Sequence, residues 1–257
     1  MKISLFLITA AAVLQPTLAL HLSIMEWDIA GPPQVADITF PINIADTPHK
    51  HGYYFAQQFR FYEAGPGYTG LQPQNDAKDG TSTIRAVFSN FINGSTTDDP
   101  DYCHPGADGG PGISCGVIFE GTYAHTYNLE VLNTKGTTWN GTAVDTVTGK
   151  RFHIGSYTLP AHALHIEGFE AGFVEYFVST PPCKDLPYTS VAFGVPTTKS
   201  GGKGSLQSPE EREACAGMQN FHFVKTAEWV NISAGFLAKA PDVRLQYEGY
   251  SEFDNGM

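Results

Sequence analysis

Apolar and polar residues alternate in short runs along most of the chain, with a period of two. Ile38, Phe40 and Ile42 fall on one side of their segment, the pattern of a strand with one buried face. Leu22 and Ile24 begin an earlier strand, and a Gly31-Pro32-Pro33 turn separates the two. The densest pattern is Gly52 to Gln72, which reads GYYFAQQFRFYEAGPGYTGLQ. As a strand it places Tyr53, Phe55, Gln57, Phe59 and Phe61 on one face and Tyr54, Ala56, Gln58, Arg60 and Tyr62 on the other. The first face belongs in a core. The second sets two phenols, an amide and a guanidinium in a row, which suits contact with a ligand.

The same reading extends along the chain. Gly65-Pro66-Gly67 predicts a turn, after which Tyr68–Gln72 and Ile84–Ile92 complete an antiparallel meander with Tyr53–Tyr62. Residues 93–116 read as one long loop. Further strands are predicted over Val117–Phe119, Thr126–Leu132, Thr142–Asp145, Phe152–Tyr157, Gly172–Val178, Phe221–Ile232 and Val243–Tyr247. Ser208-Pro209-Glu210-Glu211 carries an N-cap, a Pro at the first helical position and acids in the first turn, so a short helix bearing Cys215 is predicted there. About ten to twelve strands with almost no helix specify an all-β protein. The expected fold is an antiparallel β-sandwich or jelly roll with one short helix near the C-terminal disulfide. No internal repeat or linker divides the chain, so residues 21–257 read as a single domain.

Residues 1–20 change the setting. Lys2, the apolar run Ile3–Leu14, and the small residues Thr17 and Ala19 form a secretion signal. The expected location is extracellular. Cys103, Cys115, Cys183 and Cys215 fit that compartment as structural disulfides, paired locally as Cys103–Cys115 and Cys183–Cys215 because each pair brackets a loop. Asn93, Asn140 and Asn231 begin glycosylation sequons, and Asn140 sits in the most turn-like sequence of the three. The net charge of −11 makes nucleic acid and anionic membranes poor partners.

The segments GYYFAQQFRF, GYTGLQPQ, AVFSNF, DDPDYCHPGADGGPGISC, WNGTAVDTVTGKRFHIGSYTLP and GFVEYF resemble a family of secreted proteins of actinobacteria and fungi catalogued as a domain of unknown function. The resemblance covers roughly residues 50–195. It implies an exported sandwich of jelly-roll type, often found near carbohydrate-active modules, and supplies no catalytic residues.

Tyr54, Gln58, Arg60 and Tyr62, with Gln72 beside them, suit a saccharide. Sugars offer C–H faces for rings and hydroxyls for planar polar groups. The expected partner is therefore a polysaccharide or oligosaccharide, and an ordinary solvated sheet face is the competing reading. Asp99, Asp101 and Asp108, close to Gly109 and Gly110, match a structural calcium loop or a solvated acidic loop. His51 or His153, with Tyr54 and Arg60, would be the base and charge-neutralising groups of a polysaccharide lyase. Glu175, between Phe173 and Phe177 on its face, has the setting of a general acid for a glycoside hydrolase. The alternative to a binding protein is thus a polysaccharide-active enzyme in the same groove. An N-terminal copper clamp at His21 is disfavoured, because Ala19 is the better cleavage residue. No GxSxG, HExxH, P-loop or GxGxxG pattern is present.

Overall fold

The computed structural model describes residues 19–31, 34–160, 163–212 and 215–236. Most of the expected leader, the Pro32-Pro33 of the expected turn and the strand expected over Val243–Tyr247 lie outside the described residues. The strands in order are β1 (Leu20–Ala30), β2 (Gln34–Val35), β3 (Asp37–Asn43), β4 (Tyr53–Phe61), β5 (Gly65–Pro73) and β6 (Thr83–Asn90). Next come β7 (Cys103–Ala107), β8 (Gly110–Glu120), β9 (Thr126–Lys135), β10 (Thr138–Asp145), β11 (Arg151–Thr158) and β12 (Ile166–Glu167). The last are β13 (Phe169–Tyr176), β14 (Thr189–Gly194), β15 (Lys203–Leu206), β16 (Glu210–Glu211), β17 (His222–Lys225) and β18 (Trp229–Ala234).

They form two antiparallel sheets, as the alternation predicted. The larger has 11 strands with the main order β15-β1-β13-β4-β5-β6-β8-β7, and the smaller has seven in the order β11-β10-β9-β3-β14-β18-β17. Their inner faces share one aromatic core. Phe40 of β3 meets Trp27 of β1 at 5.1 Å and Phe59 of β4 at 6.4 Å. Phe88 of β6 stacks on Tyr157 of β11 at 4.4 Å, and Phe61 of β4 meets Trp139 of β10 edge-on at 5.0 Å. Each such side chain contributes about 1.5–3 kcal/mol through burial. Gly141 of β10 lets the sheets close here, since a Cβ at that position would come 2.5 Å from the Phe88 ring.

Both expected disulfides form, Cys103–Cys115 and Cys183–Cys215. The first corrects the reading of residues 93–116 as one loop. Cys103 and Cys115 are directly opposed partners in a β7–β8 hairpin. Its two-residue turn is Asp108-Gly109, with φ of 48° and 77°, the left-handed pair that a tight hairpin requires. Glycine and proline hid these strands from a pattern based on hydrophobicity.

The expected helix start at Ser208–Glu211 is also corrected. Glu210 and Glu211 form β16 and pair with Ile24 and Ser23 of β1. Backbone pairing with β1 outweighs the capping pattern, and the Glu211 carboxylate instead accepts from Gly217 N and Gln219 Nε2. The short helical turn near this disulfide is a 3-10 turn at Cys183–Asp185, beside the other half-cystine. The turn expected at Gly65–Gly67 falls earlier, at residues 62–64, where Glu63 has a φ of 54°. Asn140 is not in a turn either. It lies within β10, half-buried, with Nδ2 donating to Thr142 Oγ1 at 2.9 Å, whereas Asn93 and Asn231 are exposed.

Candidate functional site

The outer face of the larger sheet carries three rows of side chains that cross the strands. The first row runs through His21, Glu175, Tyr54, Gln72 and Arg85. Tyr54 and Gln72 are neighbours because each lies one residue beyond the Phe55–Leu71 pair. The middle row is Ile24, Phe173, Ala56, Gly70, Val87 and Gly116. The third contains Gln58, Tyr68, Ser89 and Ser114, where Ser89 Oγ donates to Ser114 Oγ at 3.2 Å. Glycines in the middle row leave space that side chains of the first row lean into. A Cβ on Gly70 would come 2.7 Å from Tyr54 Cε2, and one on Gly116 would come 3.0 Å from Arg85 Nη2. The Tyr54 ring therefore lies over Gly70, and the Arg85 guanidinium over Gly116.

The result is a groove of about 890 Å³. Its floor is aromatic. Tyr54 meets Tyr68 at 5.4 Å and Phe173 at 5.8 Å, both edge-on, and Phe91 meets Tyr68 at 5.1 Å. Its polar groups are largely paired. Arg85 Nη1 donates to Gln72 Oε1 at 2.9 Å, Tyr68 Oη donates to Asp108 Oδ2 at 3.0 Å, and His21 Nε2 lies 3.1 Å from Glu175 Oε1. Two hydroxyls in the lining are not. Tyr54 Oη and Ser23 Oγ are buried without a hydrogen-bond partner. Burial pushes the Tyr54 phenol well above its ordinary pKa, Tyr68, Glu175 and Asp108 add to the rise, and Arg85 partly offsets it. Tyr68 is raised by burial and then by Asp108. Both phenols therefore stay protonated near neutral pH and neither acts as a base there.

Of the residues expected to bind a ligand, Tyr54, Gln58 and Gln72 line the groove. Arg60 lies outside the lining and pairs with Glu170 at 3.5 Å, and Tyr62 is exposed in the turn after β4. Arg85 holds the place expected for Arg60. Its signal is present in IRAVFSN, where Arg85, Val87 and Ser89 alternate outward.

The expected catalytic residues are dispersed. Glu175 is in the groove. His51 borders a different cavity of about 1110 Å³, with its ring edge-on to Phe177 at 5.0 Å. His153 Nε2 lies 2.6 Å from Asp99 Oδ2, and its ring meets Tyr102 at 4.8 Å. The three acids expected to hold calcium are not brought together. Asp99 takes His153 and the Ser156 N–H, Asp108 takes Tyr68, and Asp101 is exposed. Among the described residues no group of three or more His, Cys, Asp or Glu is arranged to hold a metal ion.

A further polar cavity of about 670 Å³ is lined by His49, Ser82, Tyr123, His125 and Asp145. His49 Nδ1 lies 2.7 Å from Asp76 Oδ1 and 3.2 Å from Ser82 Oγ. Serine and carboxylate thus share one ring nitrogen, and no relay through the imidazole is formed. His125 Nδ1 lies 2.9 Å from Asp145 Oδ2. Burial opposes ionisation of Asp145, but His125 and the N–H groups of Val147 and Thr148 outweigh it and hold its pKa at about 2.

No protein-family model matches the chain, and no curated protein matches it. Among solved structures it is similar to scytalido-glutamic peptidase bound to a transition-state analogue inhibitor, with a TM-score of 0.47 and 12% identity over 86% of this chain and 100% of that one. It is also similar to SCP-B, an eqolisin-family peptidase in complex with the tripeptide Ala-Ile-His, with a TM-score of 0.43 and 11% identity over the same shares. Likeness at this level carries no functional inference.

Proposed function

We propose that this protein is an exported carbohydrate-binding protein that seats an oligosaccharide stretch along the groove on the outer face of its larger sheet. The observation that carries this reading is the meeting, in one trough, of the Tyr54, Tyr68 and Phe173 rings with a buried hydroxyl that lacks a partner. Sugar C–H faces pack on rings, and sugar hydroxyls both donate and accept, so one ligand class meets both needs. The groove lining runs from Ile24 of β1 through Phe173 of β13, Tyr54 of β4 and Gln72 of β5 to Arg85 of β6. At a strand spacing of about 4.8 Å it spans roughly 19 Å, a length suited to an oligomer rather than one sugar ring. Export is supported by the leader and the two disulfides. Among the described residues no helix is long and apolar enough to cross a membrane.

A glycan array followed by titration calorimetry tests the reading. The wild-type protein should retain at least one glycan, and Tyr54→Ala and Phe173→Ala should each weaken its binding about tenfold or more, as loss of an aromatic anchor does at other interfaces. Retention of no glycan, or equal retention by both variants, overturns it.

A further inference from the structure

Resting on the carbohydrate reading, the charges in the groove narrow the ligand. Two carboxylates, Glu175 and Asp108, line the groove with Tyr54 and Tyr68. Glu175 stands beside Tyr54 in the cross-strand ladder, and Asp108 reaches back from its hairpin to Tyr68. Of the basic groups in the lining, half-exposed Arg212 pairs with Glu210 at 3.4 Å, Arg85 is held over Gly116 by the neutral Gln72 amide, and His21 lies 3.1 Å from Glu175.

The Tyr54 hydroxyl gives an independent pointer. The residue is 3% exposed, and its oxygen lacks a partner. An ammonium group supplies three N–H donors and no acceptor. It would donate to the phenol oxygen, whose own O–H can turn to a hydroxyl of the same sugar, complement the carboxylates and rest against aromatic rings, which attract cations through their faces. The net charge of −11 adds long-range attraction for the same sign of ligand.

We infer that the groove recognises a glycan bearing free amino groups, a hexosamine-containing oligosaccharide in its protonated form. Neutral and uronic chains of the same length lack the group that Glu175, Asp108 and the Tyr54 oxygen would receive.

Titration calorimetry at pH 6 with four probes tests this: the tetramers of glucosamine, N-acetylglucosamine, glucose and lysine. The glucosamine tetramer should bind about tenfold or more tightly than either other sugar, the size of one paired charge. Glu175→Gln and Asp108→Asn should each shrink that preference to about threefold or less. Asp108 is an exposed turn residue with positive φ, a position Asn tolerates, so its variant remains informative if Glu175→Gln misfolds. If the N-acetylated or glucose tetramer binds as tightly as the amine, the amino-sugar assignment fails while carbohydrate binding stands. If lysine tetramer matches glucosamine, the site is one for cationic peptide and the sugar assignment is wrong. If no sugar tetramer binds and the array is also blank, the proposed function falls with it.

Discussion

Tyr53 and Tyr54 are adjacent on β4 and equally hidden from solvent, at 4% and 3% exposure. Their hydroxyls meet different ends. Tyr53 Oη, on the inner side, donates to Pro187 O at 2.6 Å, whereas Tyr54 Oη, over the outer trough, has no partner. Burial alone therefore does not separate core from site in this protein. Within this tyrosine pair the hydrogen-bond partner does, because a folded interior normally satisfies its donors and acceptors. The inner face is an aromatic packing surface shared by both sheets. The outer face carries a smaller aromatic cluster, Tyr54, Ala56, Tyr68 and Val87 with Phe91, Phe173 and Phe177 packed against it, and has polar capacity left over.

This contrast can be broken at several points. The largest effect should come from the inner face. Phe59 is fully buried and meets Phe40, Phe61 and Phe88. Phe59→Ala should cost about 3–5 kcal/mol of stability in chemical denaturation, and a loss under about 1 kcal/mol would show that the two sheets do not share this core.

Gln57 is the largest exception on the inner face, where Asn90 Nδ2 and Thr189 Oγ1 also lack partners. It is fully buried beside Gly172, with both amide atoms unpaired, and the structure offers no reason for it. Gln57→Leu, close in volume, should raise stability by about 1–2 kcal/mol, since it removes an unsatisfied amide. A fall of similar size would mean the amide has a partner that the inner face conceals.

The tyrosine pair gives a finer test. Tyr53→Phe should cost about 1 kcal/mol, whereas Tyr54→Phe should be neutral or slightly stabilising. The reverse order would remove the argument that the outer hydroxyl is held for a ligand.

The effect confined to low pH lies at the His125 cavity. The Asp145 carboxyl is held at about 2 in the folded state, against about 3.9 unfolded. Its contribution to stability is present above pH 4 and is lost as the pH falls through about 2. Asp145→Asn should flatten the acid limb of a stability–pH profile between pH 5 and 2. An unchanged acid limb would place the acid sensitivity elsewhere.

Much of this was legible in the sequence. Period two assigned Tyr53, Phe55, Phe59 and Phe61 to the core and Tyr54 and Gln58 to the outer face, because strand alternation is local. Local spacing also gave both disulfides. The groove's other wall was not legible. Arg85 reaches the site through cross-strand register, which one strand's sequence does not encode. Asp108 arrives through a hairpin whose Gly and Pro content looked like loop, although Asp108-Gly109 was itself a hairpin signal. Arg60 shares its alternating face with Tyr54, yet the strand's far end carries it to Glu170 instead. The helix expected at Ser208 failed for a related reason: a capping pattern is a local preference, and the open edge of β1 is a tertiary competitor.

The most direct test of the account is amide chemical-shift mapping of the isotope-labelled protein with the oligosaccharide that binds tightest on the array. The account predicts shifts concentrated at residues 54–58, 68–72 and 85–89 and at the Asp108-Gly109 turn. Shifts centred instead on His49 and His125, or on His51, would contradict it.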